Sequence, residues 1–354
     1  MKILFYINAI HHGGAERVMA NLAKRFAGSC NKVILVTSFR DEWEYPLDSA
    51  IDRINLIDEI PVGFLKRNIL IAKKLRSCIK NEKPDVIVSF MAEPNFRMLL
   101  ATIGIKCRKI ISVRNDPNKE YPNFLFKSLA KTLYNLADGV VFQTEDAMKW
   151  FPKSIQKKSR IIMNQVDEVF FNTPLAEERH DIVTTGRLTA QKNHKMLIRA
   201  FSQIAGEIDD NLIIYGEGEL RDELESLVKD LGLEERVFLP GATKNVPEAL
   251  SKAKLFVLSS DYEGMPNALL EAMAMGLPCI STDCPCGGPR MVIRNGENGF
   301  LFPVGNEEKL CEILSLVFAL STKKLTNISK LAKKEMLICN PEIVIDFWRK
   351  FIFI

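Results

Sequence analysis

The sequence predicts an α/β protein built from two doubly wound domains, each a parallel sheet with helices on both faces. Three observations carry that expectation. Short apolar, β-branched runs alternate with stretches of helical apolar spacing along the chain. The alternation restarts after a polar, proline-containing stretch near residues 164–174. Several runs also end in a glycine turn that opens a helix, the join that points backbone amides at an anion. At 354 residues there is length for two ordinary cores.

In the first half, 2–8, 32–38, 85–90, 109–114, 139–144 and 160–166 read as strands, and 15–26, 65–79, 95–103 and 124–136 as helices. In the second half, 181–185, 211–215, 236–239, 255–258, 278–282 and 299–302 read as strands with helical stretches between. Domains are expected at 1–166 and 167–338. The last helix, 341–351, carries Phe347, Trp348 and Phe351, more aromatic surface than a lone helix needs. Residues 339–354 are therefore expected to pack on the other domain or on a membrane. Open sheets of this kind bind ligands beyond the carboxyl ends of their strands, so two of them offer a cleft.

Apolar and charged contents of 47% and 26% are those of a soluble globular chain. No apolar stretch is long enough to span a bilayer, and the first residues read as a strand rather than a cleaved leader. The eight cysteines are scattered, and Cys284 and Cys286 lack zinc-site spacing. A reducing cytoplasm without structural zinc follows. Residues 1–166 hold 27 Lys and Arg against 16 Asp and Glu, a balance of +11; the remainder holds 21 against 28, or −7, giving the overall +4. The basic half suits an anionic partner. The segment 65–76 alternates cations with apolar residues at helical spacing, and reads either as a membrane-surface helix or as a core-packed helix with a basic outer face.

The most informative stretch is 255–278. The apolar run Leu255–Leu258 leads into Glu263, Gly264, Met265, Pro266 and Asn267, then a helix carrying Leu270 and Glu271, with Gly276 and Pro278 as its stop. The amides of Gly264, Met265 and Asn267 are expected to open from the helix N-terminus towards a phosphate. Two carboxylates beside a phosphate site suit a ligand with hydroxyls as well as phosphates, a nucleotide sugar. Isolated, the two glutamates would be a surface acid and a solvated helix residue; the block they sit in favours the functional reading.

Other joins follow the same pattern. Gly13 and Gly14 lie between the first strand and helix, although tight turns use such pairs constantly. Arg187 and Lys192 lie five residues apart on a loop after the strand 181–185; a planar fork and a point charge there suit a diphosphate. His194 reads as polar trim. Gly216 follows the strand 211–215 in a glycine turn that allows close approach of a bound donor, although a plain structural turn explains it as well. Backbone groups at Gly241, Ala242 and Val246 are placed to read the edge of a nucleobase.

Taken in order, Gly186-Arg187-Leu188 with Lys192-Asn193-His194, Tyr215-Gly216-Glu217-Gly218-Glu219-Leu220, Leu239-Pro240-Gly241 and the run from Glu263 to Pro278 resemble the retaining glycosyltransferases of family 4. Cys286-Gly287-Gly288-Pro289 and Asn298-Gly299-Phe300-Leu301 extend the likeness over essentially the whole chain. It is closest to bacterial enzymes building capsule, O-antigen or N-glycan precursors on lipid carriers. The resemblance implies a GT-B fold of two facing Rossmann-like domains, acceptor mainly in the first and donor in the second, with the last helix crossing back to the first. It implies that Arg187 and Lys192 bind the donor diphosphate, Glu271 the ribose hydroxyls, and Glu263 the transferred sugar. Residues 264–267 would hold the distal phosphate, and Gly13 and Gly14 would close over the donor. It further implies a UDP-sugar donor bearing a hexose or N-acetylhexosamine, and a saccharide or polyprenyl-diphosphate-linked acceptor.

One position departs from the family. Arg114, followed by Asn115, stands where many members carry a sugar-contacting His. Arg114 is read as a contact for sugar or acceptor phosphate, or as a partner of Asp116. No Asp-x-Asp occurs, in keeping with a metal-independent enzyme without a cofactor. Peripheral contact with an anionic inner membrane is expected, and nucleic acid is not, since no binding module is recognisable. A sugar-nucleotide 2-epimerase and a non-catalytic sugar-nucleotide-binding subunit are the alternatives. A dinucleotide oxidoreductase is disfavoured by the incomplete glycine fingerprint.

Overall fold

The computed structural model describes residues 1–10, 13–28, 32–40, 44–58 and 63–353. They form two compact units, Met1–Asn164 with Val344–Ile354, and Gln165–Ile343.

The first unit runs β1 (Lys2–Ile7), α1 (Gly14–Ala27), β2 (Lys32–Thr37), β3 (Ile51–Asn55), α2 (Phe64–Glu82), β4 (Val86–Phe90), α3 (Ala92–Ala101) and β5 (Arg108–Ser112). It continues through α4 (Pro117–Glu120), α5 (Phe124–Leu133), β6 (Gly139–Phe142), α6 (Glu145–Lys149), α7 (Lys153–Gln156) and β7 (Ser159–Ile161). The strands pair in the order β3-β2-β1-β4-β5-β6-β7, every pair parallel. β1, with Ile3 to Ile7 all buried, is covered on both faces, which is why its sequence is one continuous apolar run. β3 was not read from the sequence. Only Ile51 of its five residues is buried, as an edge strand permits. α2 buries Ile71, Leu75 and Ile79 and turns Lys66, Lys73 and Lys74 outward, so it is a core-packed helix with a basic outer face.

The second unit runs α8 (Glu168–Asn172), β8 (His180–Thr185), α9 (His194–Ile204), β9 (Leu212–Tyr215), α10 (Arg221–Asp230), β10 (Val237–Gly241) and α11 (Val246–Ser251). Then come β11 (Ala253–Leu258), α12 (Asn267–Met275), β12 (Cys279–Thr282), α13 (Gly288–Val292), β13 (Phe300–Phe302), α14 (Glu307–Phe318) and α15 (Thr322–Glu335). Its strands pair in parallel in the order β10-β9-β8-β11-β12-β13. In each sheet the strand order reverses once, between β1 and β4 and between β8 and β11. Loops leaving such a pair diverge to opposite faces, which opens a crevice at the carboxyl ends of the strands.

The last helix, α16 (Pro341–Ile352), sends Val344, Ile345, Trp348, Phe351 and Ile352 into the core of the first unit, among Ile3, Phe5, Val88 and Phe90. The Trp348 and Phe90 rings lie 5.8 Å apart, and Arg108 donates to the Phe351 carbonyl at 3.0 Å. Trp348 is 1% exposed. Replacing it with Ala should therefore cost about 3–5 kcal/mol in the unfolding of the first unit. Hydrogen exchange read strand by strand should show the loss in β1 and β4; unchanged protection there would contradict this packing.

Candidate functional site

At the reversal point of the second sheet, the loop after β8 and the loop after β11 are bolted together. The Lys192 ammonium meets Glu263 Oε1 at 2.5 Å, with both side chains largely buried. Ser260 Oγ donates to the same oxygen at 2.8 Å. No bond from a described residue reaches Oε2. Ser259 Oγ donates to the Lys192 carbonyl at 2.8 Å, and the Asp261 amide to the Gln191 carbonyl at 2.9 Å. Asn193, in the left-handed conformation, caps α9 by accepting from the Met196 amide while its own amide group donates to Asp261 at 2.8 Å.

The other second-unit residues singled out by sequence lie on the loops and helix starts that follow strands β8 to β11. Arg187, on the loop after β8, is exposed. Glu271 is buried a turn into α12. Pro266 caps α12 and Gly276, in the left-handed conformation, ends it. Met265 and Leu270 are buried in this region. Gly288, at the start of α13, supports the 263–267 loop from below: a Cβ there would stand 2.0 Å from the Gly264 carbonyl oxygen. Gly216 is tied into its neighbours in the same way. Its amide donates to the Gly241 carbonyl at 3.0 Å, and a Cβ on it would stand 1.8 Å from the Gly186 carbonyl oxygen. The close approach demanded at Gly216 is thus of chain to chain. Ala242 is exposed, and its amide hydrogen-bonds to the Glu217 carboxylate. Arg221 holds that carboxylate by two bonds of 2.8 Å. Val246 begins α11, which Asn245 caps.

His194 is buried, and burial, with the Lys192 charge beside it, pushes its imidazole down to about 4. It is neutral at neutral pH, as a structural residue would be.

The remaining candidates belong to the first unit. Gly13 precedes the N-terminus of α1, which Gly14 starts, and the Glu16 carboxylate lies over it, with Oε2 2.1 Å from where a Cβ would be. Arg114 does not pair with Asp116. The Asp116 carboxylate caps α4, accepting from the Asn118 amide at 2.9 Å. Arg114 is instead buried with its guanidinium 4.0 Å above the centre of the Phe90 ring, none of its side-chain nitrogens hydrogen-bonded. Burial pushes it down to about 9, against the attraction of Glu120. Glu120 accepts from the Ala92 amide at 2.7 Å. Burial pushes its carboxyl up to about 7, opposed by the Ala92 and Asn115 amides and by Arg114.

Sequence reading missed Ser260, Glu217 and Glu120. A serine three residues before a glutamate carries no signal of its own. Missed too was a buried network in the first unit: Arg97 donates to Asn68 at 2.6 Å and also bonds Asn8, while its other nitrogen pairs with Glu93. A cavity of about 310 Å³ lined by His180, Asp181, Ile213, Tyr215 and Asn245 takes in none of the site residues read from the sequence. Among the described residues no cluster of three or more His, Cys, Asp or Glu is arranged to hold a metal ion.

Two families of sequence cover nearly all of the chain. Residues 12–170 match the model described as Glycosyltransferase Family 4, and residues 165–335 match Glycosyl transferases group 1. The chain is 31% identical over 326 residues to a Campylobacter jejuni protein, the N-acetylgalactosamine-N,N'-diacetylbacillosaminyl-diphospho-undecaprenol 4-alpha-N-acetylgalactosaminyltransferase. That alignment covers 87% of this chain and 88% of the relative. An uncharacterized glycosyltransferase of Methanocaldococcus jannaschii is 32% identical over 259 residues, 66% of this chain and 63% of that protein. The crystal structure of Anabaena HepE in complex with UDP superposes with a TM-score of 0.82 at 17% identity, covering 99% of each chain.

Two measurements test the local chemistry. Lys192→Met and Glu263→Gln should each destabilise the second unit by roughly 3 kcal/mol, because each leaves a buried charge uncompensated. The double variant should cost clearly less than the sum; strict additivity in chemical unfolding would contradict the pairing. For Glu120 the folded pKa lies above the ordinary 4.5. Its contribution to stability is therefore full below about pH 4.5 and lost as pH rises to about 7. Wild-type stability relative to Glu120→Gln should fall across that window by up to about 3 kcal/mol. A constant difference would contradict the burial. The matched families, the relative spanning most of the chain and the two parallel-sheet units agree: the chain belongs to the family 4 glycosyltransferases and has the GT-B fold.

Proposed function

We propose that this glycosyltransferase moves a hexose or N-acetylhexosamine from a UDP-sugar, with retention at the anomeric carbon and without a metal ion, to a saccharide or polyprenyl-diphosphate-linked acceptor in bacterial glycan synthesis. The observation that carries this reading is the buried Lys192–Glu263 pair at the sheet's reversal point, with exposed Arg187 on the same loop and α12 beginning just beyond. Support for the lipid-linked acceptor comes from the Campylobacter relative, whose name specifies a diphospho-undecaprenol substrate. Support for the nucleotide comes from the UDP in the Anabaena structure.

In this reading the bond from the anomeric carbon to the diphosphate breaks, and its electron pair goes to the phosphate oxygen. The acceptor hydroxyl adds to the same face of the sugar, and its proton passes to that oxygen. Negative charge grows on the departing diphosphate, so fixed positive groups aimed there favour the transition state over the ground state. Arg187, Lys192 and the amides of Gly264, Met265 and Asn267 are assigned that task. Glu263 Oε2 is assigned to a hydroxyl of the transferred sugar and Glu271 to the ribose. Gly241, Ala242 and Val246 are assigned to the base, which requires the Glu217 carboxylate to yield the Ala242 amide. Gly13, Gly14, Arg114 and Asn115 are assigned to substrate contacts from the first unit.

A panel of nucleotide sugars screened by thermal shift should show one donor raising the melting midpoint well above the others. With that donor, Arg187→Ala should leave folding stability within about 0.5 kcal/mol, as expected of an exposed side chain. It should nevertheless slow transfer by roughly a hundredfold. Transfer at the wild-type rate, or a product with inverted anomeric configuration by NMR, would overturn this assignment.

A further inference from the structure

Both sheets are bridged where their strand order reverses, and by the same kind of bridge. In the second sheet Lys192, after β8, meets Glu263, after β11. In the first the reversal lies between β1 and β4. Asn8 follows β1 directly, and Arg97 lies on α3, the helix that follows β4. One terminal nitrogen of Arg97 donates to Asn8 Oδ1 and, at 3.4 Å, to Ser38 Oγ just after β2. Its Nε donates to Asn68, near the start of α2, at 2.6 Å. Its other terminal nitrogen donates to Glu93 Oε2 at 2.5 Å. The Tyr6 hydroxyl, 2.8 Å from Ser38 Oγ, closes the buried side. All three nitrogens of the guanidinium are thus taken by protein partners, which suits a residue that holds others in place.

Glu93 is placed differently. The Arg97 side chain is 5% exposed, whereas that of Glu93 is 36% exposed. A carboxylate present only to neutralise a buried guanidinium would be enclosed with it. Here Oε2 is turned in to Arg97, and no bond from a described residue reaches Oε1. Glu93 is the second residue of α3, so it stands at the carboxyl edge of the sheet, beside the reversal where such sheets take ligands. The Arg97 charge offsets its own, which weakens its pull on a cation and leaves it an acceptor for neutral donors. A phosphate would offer it only oxygens; a saccharide offers hydroxyls. Glu263 has the same form, with Oε1 held by Lys192 and Oε2 open. We propose that Glu93 Oε1 accepts from a hydroxyl of the saccharide acceptor, with Arg97 as the positioning residue that aims it. That the saccharide is the acceptor rests on the proposed function; the hydroxyl site rests on the geometry.

Calorimetric titration of the full chain with a panel of p-nitrophenyl hexosides and N-acetylhexosaminides, and separately with UDP, tests this. Wild type should bind at least one glycoside. Glu93→Ala should weaken that glycoside by roughly tenfold or more and leave UDP affinity unchanged. Glu93→Gln still accepts from Arg97 through its amide oxygen and turns an NH2 donor to where Oε1 was. It should keep the wild-type melting midpoint and also weaken the glycoside. One monodeoxy analogue should bind wild type as weakly as the parent glycoside binds Glu93→Ala, and that variant should not distinguish the two. Arg97→Lys should weaken the glycoside in wild type and add no loss in Glu93→Ala; equal losses in both backgrounds would overturn its positioning role. Absence of glycoside binding in wild type, or wild-type affinity in both Glu93 variants, overturns the inference. Failure of wild type to bind UDP while glycoside binding persists would count against the proposed donor and leave the hydroxyl site standing.

Discussion

The Lys192–Glu263 ion pair fixes the geometry on which the rest of the second unit depends. An ammonium and a carboxylate withdrawn from water lose hydration that their mutual attraction alone does not restore. Here Ser260 adds a third bond to the same carboxylate oxygen, and the surrounding loops are fastened by Ser259, Asn193, Gln191 and Asp261. Two loops that a doubly wound sheet would otherwise let diverge are held at a set separation. One bears the exposed Arg187 and the other leads into α12, whose N-terminus carries the positive end of the helix dipole.

Much of this was legible in the chain because parallel strands buried on both faces leave an unmistakable apolar run. All the strands read in the second half exist, and their ends fall within a few residues of expectation. What escaped was polar. β3 is an edge strand whose sequence, Ile-Asp-Arg-Ile-Asn, lacks the run because water covers one side of it. The short helices α4, α6 and α13 are too brief to show periodicity; Asp116 and Thr144 cap the first two, and α13 starts at Gly288 and Pro289 with no side-chain cap. Glu263 was found through the block around it, whereas Ser260 and Glu217 matter only through partners distant in sequence. The glycine at 216 was noticed for a ligand; the backbone it accommodates is that of Gly186.

The first unit uses burial differently. Arg114 and Glu120 face each other without a hydrogen bond between them, one stacked on Phe90 and the other capping the start of α3. Two oppositely charged groups in a poorly hydrated place weaken each other's penalty without removing it, which is why both depart from ordinary ionisation. The sequence could name Arg114 as a departure from its family but not its counter-charge, since Glu120 reads as one more acid near a helix end. The basic excess of this unit, in contrast, is visible as arithmetic and reappears in the outward lysines of α2, Lys66, Lys73 and Lys74.

The account stands or falls on whether the crevice grips a diphosphate. Calorimetric titration of UDP and of UMP into the wild-type protein and into Arg187→Ala tests this most directly. Wild type should bind UDP at least roughly tenfold more tightly than UMP, a difference that shrinks with added salt and disappears in the variant. Equal affinities for the two nucleotides in wild type, or an unchanged preference in Arg187→Ala, would contradict it.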